Sequence, residues 1–274
     1  MKPDIPLLLL GLAAATVLHS NASATQISVT VENLTPTGGL YFTPVWVGFH
    51  DGSFDSFDAG APASAAMEAL AEGGDVDGLQ GEFGSIAGGQ AGVVTAPAGF
   101  PAAPVFDPGD SGSLILDLDP STNRYFSFAS MLIPSNDAFI GNDDPLAYEI
   151  FNATGVFTGP LDILVLGTEI WDAGTEENTE FGAAFLAIGG DSTDESGLIT
   201  LHAGFNMPGN ILGGLTAAGT TVDEVLGDFT QSGYQLARIS INQIPEPQFM
   251  AMFGLGLGLM TVVGRRREKG RRQG

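Results

Sequence analysis

The stretch Gln26-Ile27-Ser28-Val29-Thr30-Val31-Glu32-Asn33-Leu34 alternates polar and apolar side chains. Successive side chains of a strand point to opposite faces, so this period of two describes a strand with one wet face and one buried face. Outward from it, further alternating or β-branched runs occur at residues 41–48, 113–118, 125–133, 147–151, 162–166, 198–201 and 234–242, bounded by Gly, Pro, Asn or Asp. Short strands at this spacing predict an all-β fold, an antiparallel β-sandwich of about eight strands. A single body segment, residues 61–72, reads as a helix: it is alanine-rich, has Pro62 at its start and is closed by Gly73-Gly74. Met67 and Leu70 give it a narrow apolar edge, which places it on the sandwich surface.

The chain has 274 residues, no cysteine and a formal charge of −23. Its hydrophobic fraction of 44% and 18 Phe supply a core despite that charge, which argues against bulk disorder. The absence of cysteine excludes disulfide scaffolds, thiolate metal sites and cysteine nucleophiles. The charge is concentrated unevenly. Residues 25–244 hold 29 acidic side chains against only Arg124 and Arg238, a body charge of −27. A surface this acidic repels polyphosphate, so no nucleic-acid partner is expected.

The two ends obey other rules. Lys2, an apolar run over residues 5–18 and Ala22-Ser23-Ala24 read as a signal peptide over residues 1–24, a helix cleaved after Ala24. At the other end, Pro245-Glu246-Pro247 precedes an uncharged apolar stretch and then Arg265-Arg266-Arg267. A single hydrophobic helix over about residues 248–264 is expected there. At 1.5 Å per residue it is short for a hydrocarbon core of about 30 Å, and the arginines lie on the cytoplasmic side. Residues 245–274 resemble the PEP-CTERM sorting signal. The resemblance implies recognition by an exosortase-type membrane protease, removal of the tail, and release to the cell envelope or extracellular matrix. The alternative is a permanent single-span anchor.

Three acidic groupings could carry chemistry. Asp51, Asp55 and Asp58 lack the glycine and glutamate placement of an EF-hand and read as a solvated loop. Residues 134–144 follow the strongest strand candidate, and Trp171-Asp172-Ala173-Gly174-Thr175-Glu176-Glu177 follows the run at residues 163–166. Hard oxygen ligands without His or Cys suit Ca²⁺, and two converging acidic loops repel each other unless a cation lies between them.

Residues 25–244 resemble the spondin N-terminal domain. The resemblance rests on residues 124–137 (RYFSFASMLIPSND), on Trp171-Asp172-Ala173-Gly174-Thr175-Glu176, and on the closing strand Leu236-Ala237-Arg238-Ile239-Ser240-Ile241. It implies a secreted β-sandwich holding one calcium ion through Asp137, Asp172 and Glu176. Glu176 stands where the family pattern has aspartate, and its side chain reaches one methylene further. The disulfides of animal relatives are absent, which gives the metal more weight as a cross-link between loops.

Neither His50 nor His202 falls in a nucleophile, zinc or triad motif, and His202, at a strand end, reads as structural. No phosphate-binding glycine loop opens a helix. Paired carboxylates could serve a secreted carbohydrate-active enzyme, a glycosidase, which stands as the alternative, but with 29 acids some such pair is inevitable and carries little weight. The expectation is not an enzyme but an exported calcium-binding module in the envelope or biofilm matrix. Its partner would be a matrix polysaccharide or a surface protein, and before processing the membrane through the C-terminal helix.

Overall fold

The structure, a computed structural model, describes residues 24–96, 100 and 104–245. The signal segment and the hydrophobic stretch expected at residues 248–264 lie outside the described residues. Among the described residues no helix is long and apolar enough to cross a membrane.

Two antiparallel sheets pack face to face. One has four strands: β1 (Thr25–Asn33), β5 (Ser111–Leu118), β8 (Leu161–Leu166) and β11 (Gln235–Gln243), in the order β5-β1-β11-β8. The other has seven: β2 (Tyr41–Phe42), β3 (Val45–His50), β4 (Gln90–Val94), β6 (Tyr125–Ile133), β7 (Ala138–Gly141), β9 (Ile170–Asp172) and β10 (Thr200–Leu201). Its order is β10-β9-β7-β6-β3-β4, with β2 also paired to β6.

β1 follows its alternating sequence: Ile27, Val29 and Val31 are fully buried against the facing sheet, while Gln26, Ser28 and Thr30 point outward. β11 pairs with it in register from Ile27–Gln243 to Asn33–Ala237, and its Ile239 and Ile241 enter the same core. By contrast β3 is buried at all six positions and β6 at eight of nine. A sheet covered on both faces shows continuous apolar runs rather than alternation. Val45, Val47 and Phe49 face the core between the sheets, and Trp46 faces a second apolar layer.

That second layer is built by two helices, α1 (Ala65–Gly73) and α2 (Asp77–Phe83). Ser64 caps α1, its Oγ accepting the Met67 amide at 3.2 Å, and Gly74 closes it in the left-handed conformation. Met67 and Leu70, the narrow edge legible in the sequence, are completely buried and pack α1 onto β6 and β7. α2 was not expected. Its glycines conceal it, but Leu79 and Phe83, four residues apart, seat it against Trp46.

Other differences are local. Residues 147–151 form isolated bridges, Tyr125 with Glu149 and Phe151 with Phe157, instead of a strand. The run at residues 198–201 shortens to β10. The short strands β4, β7 and β9 carry no alternation long enough to read in sequence, because pairing partners supply their order.

Candidate metal centre

The topology brings the two predicted ligand loops together. β6 ends at Ile133, the chain turns through Pro134-Ser135-Asn136-Asp137, and β7 returns antiparallel. Ser135 holds that turn: its Oγ donates to the Leu132 carbonyl at 2.5 Å and accepts the Ala138 amide at 3.1 Å. Because β7 pairs with β9 with Ala138 opposite Asp172, Asp137 and Asp172 emerge at one end of the sheet. Asp143 and Asp144, grouped with Asp137 in sequence, fall beyond the far end of β7. There Asp143 accepts the Ala59 amide at 2.6 Å and joins the loop of Asp55 and Asp58.

Asp137 is fully buried. Its Oδ2 accepts the Thr175 amide at 2.8 Å, the Glu176 amide at 3.1 Å and the Thr175 hydroxyl at 3.3 Å. Its Oδ1 is buried and has no hydrogen-bond partner. Burial, with the Asp172 charge beside it, pushes the Asp137 carboxyl up to about 6, against the pull of the Thr175 and Glu176 donors.

The Asp172-Glu176 loop closes tightly around this group. Asp172 Oδ1 accepts the Gly174 amide at 2.8 Å, and Oδ2 accepts the Asn178 side-chain amide at 2.5 Å. Gly174 is required at the turn: its φ is +67° and an added Cβ would lie 2.8 Å from the Leu198 amide nitrogen. Glu176 is also buried, and its Oε2 accepts the Asn136 side chain at 3.3 Å. Asn136 also donates to the Phe181 carbonyl and accepts the Glu180 amide, so it ties the two ligand loops to each other.

A fourth carboxylate comes from α1. Glu72 is half-buried and its pKa is raised, first by burial and then by Glu176, Glu68 and Asp137, while the Thr175 hydroxyl opposes the shift. Sequence reasoning missed it because Glu72 sits in an ordinary alanine-rich helix more than 60 residues from Asp137 in the chain. The one signal that could have found it is the burial of Met67 and Leu70, which fixes the face α1 turns to the sheet and so the direction of Glu72.

The unpartnered buried oxygen thus belongs to one of four neighbouring carboxylates, Asp137, Asp172, Glu176 and Glu72, with no cation from the protein nearby. The body has only two basic residues, and both are engaged elsewhere: Arg124 with Glu149 at 2.5 Å and Arg238 with Glu32 at 3.2 Å. The donor set, all hard oxygens with Asn and Thr at its margin, fits Ca²⁺. Among the described residues no three His, Asp or Glu side chains are already gathered in a metal-holding arrangement.

One buried polar pair away from this cluster, His50 and Ser127, has the form of a nucleophile and base but not its tautomer. The Gly52 amide donates to His50 Nδ1 at 3.1 Å, which places the ring proton on Nε2, 3.0 Å from Ser127 Oγ. A ring that donates to the hydroxyl cannot also accept its proton, and both residues are buried.

The model of the Spondin_N family matches residues 33–187, more than half of the chain, and includes Asp137, Asp172 and Glu176. The PEP-CTERM protein-sorting motif matches residues 243–267. No curated protein matches the chain.

Proposed function

The chain belongs to the Spondin_N family and ends in a PEP-CTERM sorting motif, the mark of an exported surface protein processed by an exosortase; from that premise we propose a calcium-binding, non-catalytic β-sandwich acting as a structural or adhesion module of the envelope or biofilm matrix. The observation that carries the calcium reading is Asp137 Oδ1, a buried carboxylate oxygen without a partner, beside Asp172, Glu176 and Glu72. A proton on this carboxyl competes below about pH 6, and above that pH the charged carboxylate is open to a hard dication from the medium.

Asp137, Asp172 and Glu176 would hold the ion, with Glu72 adding charge from α1. The bound ion supplies positive charge that neutralises the cluster and ties its loops together. The protein prepares the site. The Thr175 and Glu176 amides fix one Asp137 oxygen so that the other stays free, and Gly174 lets the loop turn back over it. The paired, buried His50 and Ser127 support a non-catalytic body. Calcium titration of metal-free protein by calorimetry tests the reading, with Asp137→Asn and Asp172→Asn as controls. Binding that both variants abolish supports it, and equal melting temperatures in calcium and in chelator would sink it.

A second reading has one observation in its favour. A cleft of about 190 Å³ is lined by Asp143, Asp144 and Glu169 with the aromatic rings of Tyr148 and Trp171, a chemistry that suits sugars. A glycosidase screen, with Asp143→Asn and Glu169→Gln as variants, discriminates: turnover lost in one of them would favour the enzyme.

A further inference from the structure

Asp172 is held by a chain of side chains that reaches into a third loop. The Gly204 amide donates to His202 Nδ1 at 3.0 Å, so this nitrogen carries no proton and the neutral ring is protonated at Nε2. His202 Nε2 lies 3.1 Å from Asn178 Oδ1 and donates to it. That contact orients the Asn178 amide, oxygen toward His202 and nitrogen toward Asp172, where Nδ2 donates to Oδ2 at 2.5 Å. The histidine tautomer and the asparagine orientation therefore determine each other.

The fold builds this chain deliberately into one place. β10 pairs with β9 with Thr200 opposite Asp172, so His202, two residues on, lies beside Ile170 at the start of β9, its amide donating to the Ile170 carbonyl at 2.9 Å. Its ring is boxed edge-on by Phe205 and Phe229 at centroid distances of 5.5 and 5.4 Å. The loop that follows is anchored by Glu180, a buried carboxylate in the left-handed region (φ 63°). Glu180 accepts the Asn206 amide at 2.6 Å, the Ile211 amide at 3.0 Å and the Asn210 amide. The Asn206 side chain in turn donates to the Asn178 backbone carbonyl at 3.1 Å.

We propose that His202 and Asn178 are positioning residues for the Asp172 carboxylate, holding it beside Asp137 in the orientation a divalent cation requires. The inference rests on the calcium reading of that site and deepens it. Outer-shell groups that orient a ligating carboxylate change metal affinity by roughly 10- to 100-fold when removed. Asp172 has one donor on each oxygen, which fixes the plane of the carboxylate and leaves a lone pair on each for a cation.

The test is calorimetric calcium titration of metal-free protein, repeated with Tb³⁺ and luminescence sensitised through Trp171, which precedes Asp172. Asn178→Ala, at an exposed position, and His202→Leu are each expected to weaken binding about 10- to 100-fold, and the double variant no more than the stronger single one. His202→Gln, whose amide can still donate to Asn178, is expected to recover most of the loss. Unchanged melting of Asn178→Ala in chelator would place the effect on the metal-bound state. Wild-type binding with Asn178→Ala within about twofold of it overturns the relay and leaves the calcium reading intact. Equal loss in His202→Gln and His202→Leu also overturns it. No binding by the wild-type protein overturns both.

Discussion

Asp137 and Thr175 meet across 38 residues of sequence, and the contact is one-sided: the Thr175 amide and hydroxyl both donate to Oδ2, while Oδ1 is buried without a donor. Half of the carboxylate is satisfied by the fold and half is left for something from solution.

A pH dependence of definite sign follows. The Asp137 carboxyl titrates near 6 in the folded state against an ordinary value of 3.8, so between those values the native state binds more protons than the unfolded one. Without metal, stability is greatest below about pH 4 for this group and declines as pH rises through 6, by up to about 3 kcal/mol. Calcium affinity runs the other way and rises through pH 6 as the competing proton leaves. Melting curves from pH 4 to 8, in chelator and in calcium, are expected to diverge above pH 6. Asp137→Asn is expected to melt higher than wild type in chelator at pH 8 and to show no calcium response.

Glu72→Gln removes one of the four negative charges while keeping the shape of the side chain. Calcium affinity depends on ligand charge count, and a loss of roughly tenfold is expected, with metal-free stability unchanged or raised. Calorimetry beside chelator melts checks both arms, and an unaltered calcium affinity would remove α1 from the site.

Gly174→Ala places a Cβ against the Leu198 backbone at a φ of +67°. A destabilisation of about 1–3 kcal/mol is expected by urea unfolding, together with weaker calcium binding because the loop carrying Asp172 and Glu176 must shift. A variant as stable as wild type would show that the loop has room to adjust.

The sorting motif at residues 243–267 overlaps the end of β11 at Gln243 and leaves the sandwich otherwise outside the processed region. Mass spectrometry of the secreted protein is expected to find a C-terminus near Pro245 to Pro247. Detection of Arg267 on the exported protein would instead support the permanent anchor.

The sandwich itself was readable because its four-stranded sheet is wet on one face. Strands β1, β8 and β11 match the segments expected for them to within a residue or so, since a polar-apolar alternation survives only where one face meets water. Strands β7 and β9 and helix α2 were not readable. They are short, covered on both sides or rich in glycine, and their identity depends on the neighbours that pair with them.

The site divides in the same way. Asp137, Asp172 and Glu176 lie in local motifs, Pro-Ser-Asn-Asp and Trp-Asp-Ala-Gly-Thr-Glu, whose turn chemistry is a property of contiguous residues; with the composition and the sorting tail, that much was in the sequence alone. Tertiary structure decided that β7 and β9 pair so that Asp137 and Asp172 share one sheet end, that α1 delivers Glu72 there, and that β10 places His202 behind Asn178. The reason is physical: burial, register and the partner of each lone pair are set by segments distant in the chain, and the unpartnered oxygen of Asp137 exists only once those segments have closed over it.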